Sequence, residues 1–165
     1  MLVFLVRHRV VMAIAILATA MGFWYLFRPE KLFTTQRVNE AAPFAADDAA
    51  RPAFTGLLRS SLHETKGRAT VYRAENGTMS LRLTDFSTSN GPDVHVVLVA
   101  ASDPGLKNNL PGQALQAIEV DTLKGNEGNQ EYRLPENVDL TRYDTVAIYC
   151  ERFRAVFGTA KLEAF

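Results

Sequence analysis

The sequence predicts an all-β domain, an antiparallel β-sandwich or partly closed barrel of about eight strands, behind one transmembrane helix and a linker. Residues 10–27 carry no charge, and residues 28–52 are rich in alanine. Past residue 52, short runs rich in β-branched and aromatic residues are separated by Gly, Pro or Asn, as in all-β proteins. We therefore divide the chain into a basic tail (1–9), a membrane segment (10–27), a linker (28–52) and a β-sandwich domain (53–165).

Length and composition limit the classes of function. With 165 residues, 47% of them hydrophobic, the chain can bury one sizeable core. The 18 basic residues balance 18 acidic ones, which argues against a nucleic-acid partner. The sequence has no P-loop and no G-x-S-x-G elbow, so nucleotide and hydrolase chemistry lack support. A C-x-x-C-H motif is also missing, which excludes covalent c-type haem.

The uncharged run from Val10 to Phe27 is the predicted membrane segment. Its 18 residues, at about 1.5 Å per residue in a helix, nearly cross the hydrocarbon core of a bilayer. A cleaved signal peptide is the alternative, because residues 18–20 read Ala-Thr-Ala. Apolar residues continue beyond that site, and Trp24 and Tyr25 are typical of a membrane interface, so we expect an uncleaved anchor. Basic residues flank both ends and leave the orientation open; we expect a single-pass plasma-membrane protein with its C-terminal domain outside the cytoplasm.

Eight runs in the domain have strand-like composition. They are residues 53–58, 68–74, 78–86, 93–101, 116–120, 131–134, 145–150 and 154–162. A hairpin is predicted to turn at Asn76-Gly77, two residues that tolerate positive φ. Alternation along its return strand places Leu81 and Leu83 on one face. No interval carries a long amphipathic helix, so an α/β architecture is not predicted.

Cys150 is the only cysteine of the chain and ends the seventh strand-like run. Alternation places it on one face with Val146 and Ile148, which favours a small buried hydrophobic residue. An unpaired cysteine outside the cytoplasm is unusual, however, which favours a reactive thiol or a ligand. Arg152 and Arg154 could promote the thiolate by charge. The residues alone leave both interpretations open.

Several elements, spread in order over the domain, carry a family resemblance. They are Phe86, Gly91-Pro92-Asp93, Leu123-Lys124-Gly125, Gly128, Gln130, Tyr132, Leu134-Pro135, Tyr143, Cys150, Phe153, Phe157-Gly158 and Ala160 to Leu162. Through them, residues from about 54 to 162 resemble the DM13 family, an electron-transfer domain related to the DOMON β-sandwiches. The resemblance implies that Cys150 is a redox residue, as a bare thiol or as a ligand of a group such as haem. We expect electron transfer to need a partner, because no other redox domain is recognised in the chain.

Two histidines could assist Cys150 if it held a haem iron or a metal ion. His63 precedes the second strand-like run and matches a histidine often found in DM13-like sequences. His95 shares a face with Val97 and Val99, which fits either a bonded structural residue or a ligand. The cofactor stays open among haem, a metal ion and none.

Two functions are therefore expected from the sequence. The first is a redox or electron-transfer module that acts through Cys150 and meets a redox partner. The second is a non-catalytic binding or scaffold module of the cell envelope with Cys150 buried. Its loops 86–93, 102–112 and 124–130 would contact a protein or glycan. Neither hypothesis favours a stand-alone enzyme.

Overall fold

An N-terminal helix precedes a domain made of β-strands. The computed structural model describes residues 2–27, 34–41, 50–102, 106 and 115–165, and for residues 2–7 and 26–27 it describes the helical backbone alone. The elements in these residues are α1 (Leu2–Phe27), β1 (Arg37–Asn39), β2 (Arg51–Leu57), β3 (Arg59–Ser60), β4 (Thr65–Arg73), β5 (Met79–Thr88), β6 (Val94–Val99), β7 (Ala117–Thr122), β8 (Glu127–Arg133), β9 (Thr145–Cys150), β10 (Ala155–Lys161) and β11 (Glu163–Ala164).

The strands form two sheets. Sheet A has the order β1-β8-β5-β4-β2-β11, and sheet B has the order β3-β10-β9-β6-β7. Neighbouring strands run antiparallel in both sheets, apart from the parallel pair of β1 and β8. Both sheets keep free edges, so the predicted all-β fold is confirmed as a sandwich-like arrangement and not a closed barrel.

Each of the eight predicted strand-like runs overlaps a strand of the structure, β2 or one of β4 to β10. The described residues add β1, β3 and β11, which have three, two and two residues. Alternation cannot reveal such short strands, because it needs at least two full periods. The hairpin of β4 and β5 turns where predicted, but its loop has three residues, closed by the Ala74 N–H bond to the Thr78 carbonyl at 2.9 Å. Only Gly77 in this loop has a positive φ, of 83°.

The main core lies between the two sheets. Sheet A contributes Val71, Leu81 and Leu83, and alternation correctly predicts that the two leucines share a face. Sheet B contributes its inner face, including residues of β6, β9 and β10. A second, smaller core lies on the outer face of sheet B, and Leu106 and Leu115 pack against it. The central strand β9 of sheet B is therefore covered on both faces, and each of its residues is buried.

Helix α1 contains one apolar window long enough to cross a membrane, from His8 to Tyr25, with a mean hydropathy of 1.3. The side chains of this window are all exposed in the structure. Its length and position near the N-terminus fit a single membrane span or a signal peptide. The division of the chain into tail, anchor, linker and domain stays a prediction. The structure adds that residues 37–39, inside the predicted linker, form β1 at the edge of sheet A.

Candidate functional site

Cys150 ends β9 on the inner face of sheet B. It lies opposite Val94 of β6 and opposite Ala155 of β10. Val146 and Ile148 belong to the same inner core, as the alternation of this strand predicts. The thiol is fully enclosed, with 0% of the residue exposed to solvent. Cys150 is thus a packed core residue in the described conformation.

Backbone groups surround the thiol and oppose the effect of burial. Burial raises the pKa of the Cys150 thiol, whereas the backbone N–H groups of Phe153, Asp93 and Arg152 act to lower it, and the net shift is upward. The thiol is therefore protonated at neutral pH. Arg152 acts on the thiol through its backbone N–H. The N–H groups of Arg152 and Phe153 belong to the turn after Cys150, which closes with Arg154 at a φ of 47°.

A pocket of about 270 Å³ is lined by Asp93 and Val94, two residues that adjoin Cys150. Its walls are the β5–β6 loop, the β7–β8 loop and the segment before β1. The lining residues are Thr34, Gln36, Ser89, Asn90, Gly91, Pro92, Asp93, Val94, Thr122, Leu123, Gly125 and Asn126. Two of them also adjoin the thiol: Val94 is the ladder partner of Cys150, and the Asp93 N–H acts on its sulfur. The pocket and the thiol thus share one wall.

Gly91 fixes the β5–β6 loop closely against this wall. A Cβ atom on Gly91 would lie 2.5 Å from Cγ2 of Val94 and 3.0 Å from Cζ of Phe157. Both distances are shorter than ordinary contacts, so a side chain at this position would push the loop outward. Glycine is required here because there is no space for a side chain. The close packing that it allows keeps residues 89–93 over the wall beside Cys150.

A buried polar network supports the other side of the pocket. The Tyr132 hydroxyl donates to Oε1 of Gln130 at 2.6 Å and accepts from the Lys124 N–H at 3.1 Å. Oε1 of Gln130 also accepts from the Gly125 N–H at 3.1 Å, and its amide donates to the Gly125 carbonyl at 2.8 Å. Gly128, with φ of 101°, lets the backbone of β1 approach β8. The spaced Gly-x-Gln-x-Tyr residues of the sequence therefore shape the pocket wall and hold β1.

The two candidate histidines lie in different environments. His63 is exposed, and its ring packs on Phe157 with 4.0 Å between ring centroids. His95 shares the outer face of sheet B with Val97, as alternation predicts. Its Nδ1 lies 2.7 Å from Oε1 of Glu119, and its Nε2 lies 3.1 Å from Oδ1 of Asp93.

This arrangement bears on the cofactor question. Cys150 and His95 lie on opposite faces of sheet B, and both ring nitrogens of His95 face carboxylates. Within the described residues, no group of three His, Cys, Asp or Glu side chains could hold a metal ion. The enclosed thiol does not open onto space for a macrocycle. The residues as described do not fit Cys150 and His95 as ligands of one haem or metal ion, and the assignment of Cys150 and His63 to a cofactor stays a prediction.

Sequence patterns could not reveal the partners of His95 and Tyr132. Glu119 lies within a strand-like run and Asp93 next to a turn, where acidic residues are common. The contact of Glu119 with His95 depends on the pairing of β6 with β7. Gln130 and Tyr132 gave a signal, since their spacing of two places both on one face of a strand. A fully buried Gln beside a buried Tyr indicates a polar network once that face is known to be internal.

Together the fold and the site define a class: a β-sandwich domain with one buried thiol behind a loop-lined pocket. The family model described as "Electron transfer DM13" matches residues 57–162. The chain therefore belongs to the DM13 family, as the sequence resemblance predicts. Comparisons with curated proteins and with solved structures give no match to this chain.

Proposed function

We propose that the chain is a membrane-anchored electron-transfer domain, outside the cytoplasm, in which Cys150 is the redox residue. The observation that carries the proposal is the wall shared by the pocket and the thiol, formed by Asp93 and Val94. The pocket brings a partner molecule within one residue layer of the sulfur. The family description supplies the kind of chemistry, which is electron transfer.

In the resting state the thiol is enclosed and protonated, so it is unreactive towards small oxidants. It becomes reactive when the loop of residues 89–93 moves away from Val94. Contact with solvent then removes the burial that raises the pKa, while the N–H groups of Phe153 and Arg152 remain to stabilise the thiolate. Local opening of this kind is ordinary for loops at the edge of a core.

The proposed step is thiol–disulfide exchange with a redox or cell-envelope partner that carries a disulfide. The Cys150 thiolate attacks one partner sulfur, so an S–S bond forms between the two proteins and the disulfide of the partner breaks. The released partner thiolate takes up the proton that Cys150 lost. Cys150 is thereby oxidised to a mixed disulfide, and one partner sulfur leaves as a thiol.

The test measures how fast a pyridyl disulfide probe reacts with the full chain, purified in detergent micelles. We expect reaction from a locally opened state, faster than global unfolding allows, and complete loss in Cys150→Ser because no other cysteine exists. Leu83→Ala is the matched control, since it weakens the core in sheet A and speeds only reactions that need global unfolding. An absorption spectrum of the same sample tests for a coloured bound group.

A scaffold or binding module of the cell envelope is the second candidate. The enclosure of the thiol, with 0% exposure and a raised pKa, is the observation that favours it. Two results together would reject the redox proposal. The probe would react only at the rate of global unfolding, with Leu83→Ala accelerating the probe reaction and unfolding by the same factor, and the protein would be colourless. The pocket loops would then bind a partner without chemistry at Cys150.

The anchor has a separate test. We propose that residues 10–27 remain in the membrane, supported by the apolar window of α1. The intact mass of the protein in the membrane fraction should correspond to a chain that retains these residues. A mature chain that begins at Met21, after the Ala-Thr-Ala sequence, would overturn the anchor but not the redox step.

A further inference from the structure

His95 holds two carboxylates at once. Its Nδ1 lies 2.7 Å from Oε1 of Glu119 on β7, and its Nε2 lies 3.1 Å from Oδ1 of Asp93, the residue just before β6. An ionised carboxylate can only accept hydrogen bonds, so both ring nitrogens must carry hydrogen to satisfy both contacts. The described geometry therefore corresponds to the imidazolium form of His95.

The surroundings of His95 favour that charged form. Tyr149 lies opposite it on β9, and Glu151 and Glu119 line the same small cavity of about 210 Å³. Partial burial alone would lower the pKa of His95, but the hydrogen bonds and charges of Asp93 and Glu119 raise it above its usual range. In the described part of the chain, the acidic groups on three sides of the ring are thus Asp93, Glu119 and Glu151.

Asp93 connects this histidine to the thiol. Its side chain contacts His95, while its carbonyl accepts the N–H of Glu151 at 3.0 Å and its own N–H acts on the sulfur of Cys150. Asp93 also ends the loop of residues 89–93, the loop that must move before the thiol can react. A contact that fixes Asp93 therefore fixes the end of this loop beside Cys150.

Loss of the proton from His95 breaks this arrangement. A neutral imidazole donates from one nitrogen only, so its other nitrogen would face a carboxylate oxygen with a lone pair on each side. The contact with Glu119 is the shorter of the two, at 2.7 Å against 3.1 Å for Asp93. Asp93 is therefore the group released.

We propose that His95 is a positioning residue for Cys150: its imidazolium ties Asp93 to Glu119 and holds residues 89–93 closed, and its deprotonation lets the loop open. The inference rests on the proposed function for its biological meaning, because it names the regulation of the same thiol. The closed form dominates at low pH. The contact weakens as the pH rises through the raised pKa of His95.

The test compares the full chain with His95→Gln in micelles, using the pyridyl disulfide probe between about pH 5 and pH 9. The ratio of the variant rate to the wild-type rate cancels the pH dependence of the thiolate itself. We expect a ratio of roughly threefold to fivefold at the acidic end, within the range for a partly exposed ion pair, that falls to one at the alkaline end. A ratio that stays constant with pH overturns the proposal.

A second variant keeps the test decisive if His95→Gln does not fold. Glu119→Gln removes one of the two carboxylates that raise the pKa of His95, and the new amide can also donate to the neutral ring, so the pH dependence of loop opening should lose its wild-type midpoint. Glu75→Gln, at an exposed position in the β4–β5 turn, is the matched control and should leave that midpoint unchanged. An unchanged midpoint in Glu119→Gln overturns the role of His95. Reaction only through global unfolding in every variant instead overturns the proposed function, so the two failures are distinct.

Discussion

Val94 lies directly opposite Cys150 in the antiparallel ladder of β6 and β9. The backbone at Gly91 rests on the side chain of Val94, so the loop, the valine and the thiol form one stack. The accessibility of the thiol is therefore governed by how closely this loop packs. Changes at the loop should alter thiol reactivity even when they do not touch the sulfur.

Gly91→Ala should loosen that stack. The new Cβ would lie 2.5 Å from Cγ2 of Val94 and 3.0 Å from Cζ of Phe157, so the loop must shift. We expect a loss of about 1–3 kcal/mol in the free energy of unfolding, and a faster native-state reaction of Cys150 with the probe. Gly77→Ala is the control, because Gly77 has a φ of 83° and no atom within 4 Å of the added Cβ, and it lies in a different loop. This variant should lower stability through backbone strain without exposing the thiol. Equal probe rates in both variants would contradict the stack.

Cys150→Ala should destabilise the domain through lost packing alone. The sulfur is fully enclosed among inner-face residues, so its removal leaves a small cavity. We expect a cost of about 1 kcal/mol, comparable to deleting one buried methyl group. Urea denaturation followed by near-ultraviolet circular dichroism measures it. An unchanged midpoint would mean that the sulfur is not packed as described.

Tyr132→Phe should disrupt the network that supports the pocket. The hydroxyl donates to Oε1 of Gln130 at 2.6 Å and accepts from the Lys124 N–H at 3.1 Å. Without it the Lys124 N–H loses its acceptor, while Oε1 of Gln130 keeps only the Gly125 N–H. The expected loss is about 1–3 kcal/mol, the cost of unsatisfied buried polar groups. Tyr143→Phe is the matched control, because no hydrogen bond of its hydroxyl is found among the described contacts, and it should cost clearly less. Equal losses in the two variants would contradict a specific role for the network.

Glu40→Gln should remove an acid-sensitive part of the stability. Burial opposes the charge of Glu40, but the ammonium of Lys124 at 2.8 Å, the Glu131 N–H and the charge of Arg82 together lower its pKa. A lowered pKa in the folded state means that its stabilising contribution is present above about pH 4.5 and is lost as the pH falls through the folded-state pKa. Denaturation measured between pH 3 and pH 7 should show that the free energies of unfolding of wild type and variant converge at the acidic end.

The matched control is Glu75→Gln, at an exposed position in the turn between β4 and β5. The free energy of unfolding of this variant should differ from that of wild type by a constant amount across the whole pH range. If the free energies of unfolding of Glu40→Gln and wild type still differ at pH 3, Glu40 acts by packing and not by charge.

Local patterns predicted what depends on local chemistry. β-Branched and aromatic composition between turn residues identified the eight longer strands. Alternation identified the inner face that Cys150 shares with Val146 and Ile148, because a strand has a side-chain period of two. The three-residue strand β1 carries no such period, and its parallel pairing with β8 depends on residues far away in the chain. The groups around Cys150 also escaped sequence analysis, since Asp93 reaches the thiol only through the pairing of β6 with β9.

The chain enters the domain through β1, whose three residues pair with β8 while Glu40 binds Lys124 just beyond them. The backbone from Phe27 to Thr34, the first pocket residue, can reach no more than about 25 Å even when fully stretched. In the proposed anchored arrangement, this short connecting segment keeps the opening of the pocket close to the lipid headgroups. Mechanical tension on that anchor would therefore pull first on β1, the edge strand that follows the pocket residues Thr34 and Gln36.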